Sequence, residues 1–262
     1  MDLEPGRRFD QFSAAEYLRE YYSEVGPENH ELLRFFADIA PAAPMGEDLL
    51  EYGGGPTVYQ LLSLAPRVGG VVFGDYLAEN LEAVSDWIDG RPGAHDWAPF
   101  ARAALRHEGL DGSGAEAEHR LAVVRQRIRT LCQVDALDET RPAVRPDGFA
   151  FVSTNFVAES IANSGDEWRR AVRAIAGNVR PGGHLAMTAI RNAERWRIGD
   201  HWFPALPVDA NDIRSALAEL GHRVEHLVEI DAEVLDRADP RHEGYDGMVF
   251  CLSRHRSRGS HT

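Results

Sequence analysis

The spacing of apolar and polar residues divides the chain into alternating strands and helices. Short apolar runs, typical of strands buried in a sheet, predict strands over residues 48–52, 68–73, 149–154, 184–190, 222–230 and 248–253. Apolar residues at helical spacing predict helices over residues 13–22, 28–39, 58–64, 77–88, 119–130, 166–179 and 209–220. Because strands and helices alternate, we expect an α/β fold with a mostly parallel sheet.

Local signals mark several helix boundaries. Ser13 followed by Glu16 is a capping-box pattern, in which each residue bonds the backbone of the other. Asp209 is a favourable N-cap residue for the helix that follows it. The run Arg180-Pro181-Gly182-Gly183 predicts a sharp helix stop.

The length of the chain suits one decorated domain over residues 1–262. Residues 89–118 are mixed in composition, and we expect an insertion with irregular helices there. Residues 255–262 form a polar tail.

Composition and charge exclude several classes of partner. Hydrophobic residues make up 44% of the chain, and the formal net charge is −14. A surface of this sign repels nucleic acid and anionic membranes, so we expect neither as a partner. The chain has no spanning apolar run and no signal-peptide core at its start, so we expect a cytoplasmic protein. Cys132 and Cys251 suit a reducing compartment and cannot form a cysteine-based metal cluster, so we expect no metal.

Every one of the 28 basic residues is arginine, and lysine is absent from the sequence. A lysine Schiff base and a lysine phosphate clamp are therefore excluded. The heavy use of Arg, Ala, Gly and Asp indicates a GC-rich genome.

The turn after the first predicted strand is rich in glycine and predicts a nucleotide-type site. Residues 51–57 read Glu-Tyr-Gly-Gly-Gly-Pro-Thr, where a strand passes into the following helix. Glycines allow a ligand to approach the backbone closely. Asp75 ends the second strand about twenty residues later, where an acid can accept both ribose hydroxyls. The turn is not G-x-G-x-x-G, which favours S-adenosylmethionine (SAM), a ligand without phosphate.

Asp135 precedes the Phe149 strand and could hold an adenine amino group, with Ala136 donating its backbone N–H. Taken singly, the glycines also fit an ordinary loop, and Asp135 also fits a solvated loop acid.

Several motifs occur together along the chain. They are Tyr17-Leu18-Arg19-Glu20-Tyr21-Tyr22, Gly53-Gly54-Gly55-Pro56-Thr57-Val58-Tyr59-Gln60, Asp75-Tyr76 with Asn80, Asp96-Trp97-Ala98-Pro99, Arg180-Pro181-Gly182-Gly183, and Ile198-Gly199 with Leu206-Pro207. With these motifs nearly the whole chain resembles the small-molecule methyltransferases that include the nicotinamide, phenylethanolamine and indolethylamine N-methyltransferases.

The resemblance implies a Rossmann-like class I methyltransferase fold. Such a fold has a seven-stranded, mostly parallel sheet with helices on both faces and an N-terminal helical lid, here residues 1–45. It also implies a SAM site lined by Tyr17, Tyr22, Gly53, Gly55, Thr57, Tyr59, Asp75, Tyr76, Asn80, Asp135 and Ala136. The same tyrosines also fit simple helix packing.

The acceptor half departs from the family. The nicotinamide enzyme has an aspartate where this chain has Thr188, so a nicotinamide acceptor is in doubt. Asp246 falls where amine-methylating relatives carry an acid, although it also fits a turn aspartate before glycine. The candidates for catalysis are Asp246, His242 and Tyr245. The candidates for acceptor binding are Tyr21, Thr188 and Trp202. Tyr21 also fits simple helix packing, and His242, Tyr245 and Trp202 each also fit an exposed loop or the core.

We therefore expect a methyltransferase that acts on a small-molecule amine or nitrogen heterocycle in bacterial secondary metabolism, with S-adenosylhomocysteine (SAH) as the second product. C-methylation of an indole-type metabolite is an alternative. An NAD-dependent oxidoreductase and a SAM-binding protein without catalysis are alternatives from other classes. The expected assembly is a monomer or a homodimer.

Overall fold

The computed structural model describes residues 9–138, 140, 143–235 and 244–257. Its main strands are β1 (Asp48–Tyr52), β2 (Gly70–Asp75), β3 (Ile128–Gln133), β4 (Phe149–Asn155), β5 (Val179–Arg191), β8 (His222–Asp231) and β9 (Gly247–His255). Across the described residues these seven strands form one sheet in the order β3-β2-β1-β4-β5-β9-β8. All neighbours from β3 to β5 are parallel, and β9 runs antiparallel to both of its neighbours. The predicted mostly parallel, seven-stranded sheet is confirmed.

Helices cover both faces of this sheet. They are α1 (Ala14–Tyr21), α2 (Pro27–Ile39), α3 (Ala78–Ile88), α4 (Ala98–His107), α5 (Gly114–Arg127), α6 (Ala158–Ile161), α7 (Gly165–Ala176) and α8 (Ala210–Glu219). One hydrophobic core lies beneath α2 to α5, and a second lies beneath α7 and α8. No helix among the described residues has the length and apolar content needed to cross a bilayer.

The two cores follow from the period-two alternation of the strands. In β1, Leu49 belongs to the first core and the next residue, Leu50, belongs to the second. Both side chains are fully buried. A parallel strand covered by helices on both faces needs apolar side chains at both parities, which is why the predicted strands are continuous apolar runs.

The predicted helix over residues 58–64 is wrong. The structure has only a 3-10 turn at Tyr59–Leu61. The Thr57 hydroxyl donates to the Gly54 carbonyl oxygen at 2.8 Å, and the Gln60 amide donates to the Thr57 carbonyl oxygen at 3.1 Å. The second bond occupies the Thr57 carbonyl oxygen, which would accept the first backbone bond of a regular helix.

The predicted helix over residues 119–130 is wrong at its end. Helix α5 stops at Arg127, and β3 begins at the next residue, Ile128. This strand pairs with β2 in parallel register and supplies the seventh strand, which was not located in the sequence. Because no glycine or proline separates the helix from the strand, the sequence has no local signal that marks the end of the helix.

The predicted helix stop at residues 180–183 is displaced. Helix α7 ends at Ala176, and residues 180–183 already belong to β5. The pairing of β4 with β5 shifts register between Phe149 and Phe151, opposite this run. The Pro-Gly-Gly sequence therefore marks a strand irregularity.

Two further segments differ from expectation. Residues 89–118 contain the regular helix α4, whose Phe100 is fully buried in the first core, so the expected irregular helices are wrong. A hairpin, β6 (Arg195–Ile198) with β7 (His201–Pro204), was not predicted. The predicted polar tail begins one residue inside the sheet, because His255 ends β9.

Candidate cofactor and acceptor site

A cavity of about 1900 Å³ opens at the carboxyl ends of the parallel strands. The chain enters the sheet at β1, adds β2 and β3 on one side, and then crosses to β4 and β5 on the other. The cavity lies at this reversal, and its wall includes Gly53, Asp75 and Asn155 from the ends of β1, β2 and β4. Ligands of open α/β sheets bind at such a switch point.

The glycine turn after β1 brings bare backbone to the cavity. Gly53 and Gly55 have φ angles of 71° and 61°, in the left-handed region that favours glycine. A Cβ on Gly53 would lie 2.4 Å from a methyl carbon of Val157, and a Cβ on Gly54 would lie 2.2 Å from the Phe73 ring. Side chains at these two positions would displace their neighbours, so the turn requires glycine.

Glu51 lies behind this turn and is fully buried. Its Oε1 accepts from the side-chain amides of Gln60 at 3.3 Å and Asn155 at 3.0 Å. Among the described residues its Oε2 has no hydrogen-bond partner. Burial raises the pKa of this carboxyl to about 7, although the hydrogen bonds from Ser153, Asn155 and Gln60 oppose the shift.

Asp75 ends β2 and reaches back to the glycine turn. Its Oδ2 accepts the Gly55 backbone N–H at 2.8 Å, and its Oδ1 accepts from the Leu77 backbone and the Asn80 amide, both at 2.9 Å. The carboxylate is 6% exposed and lies at the cavity wall. Burial raises its pKa, while these hydrogen bonds lower it. The result is an oriented acid of the kind that accepts ribose hydroxyls.

The far side of this half follows β3. Asp135 and Ala136 both line the cavity. The Asp135 carboxylate accepts the Leu137 backbone N–H at 2.8 Å, which shapes the turn locally.

Three tyrosines line the cavity beside the glycine turn. Tyr17 and Tyr22 come from α1 and its C-cap, and their hydroxyl oxygens are 3.3 Å apart. The Tyr22 hydroxyl donates to that of Tyr59 at 3.5 Å. Burial raises the pKa of all three phenols, so they remain protonated donors at neutral pH.

Helix α1 begins where the sequence predicts, with a different set of bonds. The Ser13 hydroxyl accepts the Glu16 backbone N–H at 3.4 Å, as the capping box requires. The Glu16 carboxylate is turned to Arg19 at 3.5 Å, so the second half of the predicted box is wrong. The Glu79 carboxylate of α3 instead accepts the Ala14 N–H at 2.7 Å and ties the lid to the sheet domain.

The acceptor half is lined by aromatic and acidic side chains. Trp202 of β7 lies at the cavity, 48% exposed, with the Arg195 guanidinium 4.1 Å from its ring centroid. The Tyr245 hydroxyl donates to both carboxylate oxygens of Glu28 on α2, at 3.0 Å each. Tyr21 also lines the cavity, and its hydroxyl donates to the Arg197 backbone oxygen at 2.5 Å.

The described wall carries nine acids and two arginines, so its electrostatic potential is negative. The acids are Glu20, Glu24, Glu28, Glu31, Asp75, Asp135, Glu167, Asp231 and Glu233. Arg197 is paired with Glu20 at 3.3 Å.

Two of the described sequence-based candidates do not line the cavity. Thr188 is 1% exposed, and its hydroxyl donates to the Asn155 amide oxygen at 3.1 Å. Asn155 therefore lies between Thr188 and the cavity, and the expectation that Thr188 contacts the acceptor directly is wrong. Asp246 is absent from the described cavity wall, and its carboxylate accepts from the Asn192 amide at 2.9 Å. His242 lies outside the described residues.

All other predicted site residues that the structure describes line the cavity. They are Tyr17, Tyr21, Tyr22, Gly53, Gly55, Thr57, Tyr59, Asp75, Tyr76, Asn80, Asp135, Ala136, Trp202 and Tyr245.

Sequence reasoning missed Glu28, Asn155 and Trp196, which also line the cavity. Asn155 directly follows the predicted strand over residues 149–154, so the rule that ligands bind at carboxyl strand ends could have identified it. Glu28 and Trp196 reach the cavity only through tertiary packing.

The residues present fit SAM. The acids of the described cavity wall suit the positively charged amino group of its amino-acid tail. The glycine cradle and Asp75 suit a nucleoside, and the negative wall suits a sulfonium.

Fold and site together define a class I SAM-dependent methyltransferase. Residues 3–256 match the sequence model of the NNMT/PNMT/TEMT family, and the chain belongs to that family. It is an enzyme that uses SAM and acts on small-molecule acceptors.

Three similar relatives are mammalian enzymes. The indolethylamine N-methyltransferase of Oryctolagus cuniculus is 28% identical over 83% of this chain and 84% of its own. The nicotinamide N-methyltransferase of Homo sapiens is 27% identical over 91% of this chain and 92% of its own. The human phenylethanolamine N-methyltransferase is 28% identical over 84% and 80%.

Solved structures agree on the fold. The N-methyltransferase NodS of Bradyrhizobium japonicum, in complex with SAH, gives a TM-score of 0.54 at 12% identity and covers 90% of both chains. The glycopeptide N-methyltransferase MtfA, complexed with SAM, gives a TM-score of 0.52 at 14% identity and covers 90% of this chain and 96% of its own.

Proposed function

We propose that this enzyme methylates the nitrogen of a small-molecule amine or nitrogen heterocycle in bacterial secondary metabolism. One observation carries the proposal: a single cavity joins the Asp75 and glycine-turn end to an aromatic, acidic wall that includes Trp202 and Tyr245. Aromatic faces and carboxylates attract organic cations and nitrogen donors. The arginine-only composition supports the bacterial source.

The residues that line the cavity suggest separate roles in binding the cofactor and aligning the acceptor. When bound, SAM supplies a methyl group already activated by its sulfonium. Asp75 and the glycine turn hold the nucleoside end, and Tyr17 and Tyr22 close over it and exclude water. The enzyme chiefly aligns the two reactants, since alignment removes a large entropic barrier.

The acceptor must present a lone pair, so a protonated amine first loses a proton. The Tyr245 hydroxyl donates a hydrogen bond to the Glu28 carboxylate. This pair of polar side chains lines the cavity and can orient the acceptor nitrogen or take up its proton. Asp246 and His242 stay in the proposal as sequence-based candidates for the same role.

C-methylation of an indole-type acceptor is the second candidate. The aromatic wall favours it, because Trp196 and Trp202 line the cavity and can stack on a flat ring. Neither residue distinguishes a ring nitrogen from a ring carbon.

The test is a screen followed by product analysis. Binding of SAM, SAH and NAD is measured by calorimetry, and amines and indoles are then screened for incorporation of labelled methyl. We expect binding of SAM and SAH only, and a product methylated on nitrogen by NMR. Methyl on a ring carbon would favour the second candidate, and transfer to none of the acceptors would contradict both.

A further inference from the structure

A chain of buried hydrogen bonds links the carboxyl ends of β1, β4 and β5. The Asn155 Nδ2 donates to Glu51 Oε1 at 3.0 Å and to Ser153 Oγ at 3.2 Å. The Thr188 hydroxyl donates to Asn155 Oδ1 at 3.1 Å. Glu51 and Thr188 are 0% and 1% exposed, whereas Asn155 lines the cavity. Two buried residues therefore hold the side chain of one residue that a ligand can reach.

The neighbouring side chains fix which way the amide is turned. The NH2 group of Asn155 faces Glu51 Oε1 and Ser153 Oγ, to which it donates. The amide oxygen then faces the Thr188 hydroxyl. The bonds to Glu51 and Ser153 use both N–H groups, and the Thr188 bond uses one of the two oxygen lone pairs. The capacity that remains to Asn155 is one lone pair, so it can only accept from a ligand.

The backbone at the same point is strained. Phe156, directly after Asn155, has a φ of 57°, a conformation that costs free energy in a bulky residue. Its N–H donates to the Thr188 carbonyl oxygen at 3.0 Å. Thr188 therefore holds both the Asn155 side chain and the turn behind it, and such strain concentrates at functional sites.

We propose that Asn155 accepts a hydrogen bond from an N–H group of the methyl acceptor, with Thr188 and Glu51 as positioning residues. This inference rests on the proposed function. Asn155 ends β4, across β1 from the nucleoside acid Asp75, so it belongs to the acceptor side of the switch point. The contact selects acceptors that carry a hydrogen on or beside the reacting nitrogen, and a pyridine nitrogen gains nothing from it.

The test compares two buried threonines, Thr188 and Thr154, of which only Thr188 donates a hydrogen bond to Asn155. Thr188→Val removes the hydroxyl that holds Asn155, and Thr188→Ser keeps it. Thr154→Val is the matched control: Thr154 is also 1% exposed, lies beside Asn155, and among the described residues its hydroxyl has no hydrogen-bond partner. Asn155→Leu removes the amide itself. The acceptor probes are indolethylamine, phenylethanolamine and nicotinamide.

We expect Thr188→Val to raise the KM of the amine probes about tenfold or more, the loss of one well-oriented hydrogen bond. The Kd for SAH, measured by calorimetry, stays within about twofold. Asn155→Leu has a larger effect in the same direction, while Thr188→Ser and Thr154→Val behave as the wild type.

Each contrary outcome has a distinct meaning. If Thr188→Val and Thr154→Val have the same KM for the amines, or if SAH binding falls as much as acceptor binding, Asn155 has no acceptor role. The wild type is measured first. If it neither binds nor methylates any of the three probes, the proposed function fails together with the role of Asn155.

Discussion

The Asp75 carboxylate accepts the backbone N–H of Gly55 at 2.8 Å, across the boundary between β2 and the loop after β1. This bond joins the two parts of the nucleoside site that lie twenty residues apart in sequence. The acid therefore shapes the glycine turn as well as offering its oxygens to a ribose. Replacing Asp75 therefore disturbs both functions.

Asp75→Ala should weaken SAH binding by about 1–3 kcal/mol, because a charged acceptor for hydroxyl groups is lost. Calorimetry with SAH measures the change. Asp96→Ala is the control, since Asp96 also accepts a backbone N–H, that of Ala98 at 2.9 Å, but does not line the described cavity wall. Unchanged SAH affinity in Asp75→Ala would remove this acid from the site.

Gly53→Ala should abolish cofactor binding and destabilise the fold. The alanine would adopt a φ of 71°, which costs about 1–2 kcal/mol, and its Cβ would lie 2.4 Å from a Val157 methyl carbon. Gly90→Ala is the matched control, with a φ of 66° and no heavy atom within 4 Å of the added Cβ. Equal losses of stability, with SAH binding intact in both variants, would contradict the crowded cradle.

Glu159→Gln should change how stability depends on pH. Glu159 is fully buried, and among the described residues its Oε2 has no hydrogen-bond partner; burial raises its pKa from 4.5 to about 7. The native protein therefore holds a proton that the unfolded chain has released over this interval, and the native state loses stability as pH rises through it.

Relative to the wild type, Glu159→Gln should therefore gain stability between pH 5 and pH 8, by roughly 3 kcal/mol if the whole shift is realised. Urea unfolding at the two pH values measures this gain. Glu219→Gln, at the exposed end of α8, should show no such gain. A pH-independent difference between Glu159→Gln and the wild type would mean that Glu159 is ionised in the folded protein.

Tyr245→Phe should raise the acceptor KM while leaving the Kd for SAH unchanged, because its hydroxyl and its bond to Glu28 lie on the acceptor side. Steady-state kinetics with labelled SAM give the KM. Asp246→Asn is the informative comparison, since its carboxylate bonds to Asn192. If Asp246→Asn slows methylation and Tyr245→Phe does not, the acid takes the role proposed for the tyrosine.

The sequence by itself determined the features that depend on neighbouring residues. The glycine turn at residues 53–55, the caps at Ser13 and Asp209, and the apolar strands are visible because each follows from local geometry. Asp75 was identified because its distance from the turn is fixed by one strand–turn–strand unit. The family motifs added the tyrosines of α1 and its C-cap to the expected site, and their spacing alone was also compatible with simple helix packing.

Tertiary structure decided what depends on contacts between distant segments. Strand β3 forms because residues Ile128–Gln133 pair with the free edge of β2, and no local sequence signal marks this pairing. Thr188 was expected to touch the acceptor, yet the parallel register of β4 and β5 places it against Asn155. Glu28 meets Tyr245 across 217 residues of chain. The sequence revealed the cofactor half because one local unit builds much of it, whereas the acceptor half is assembled from segments far apart in the chain, which only packing brings together.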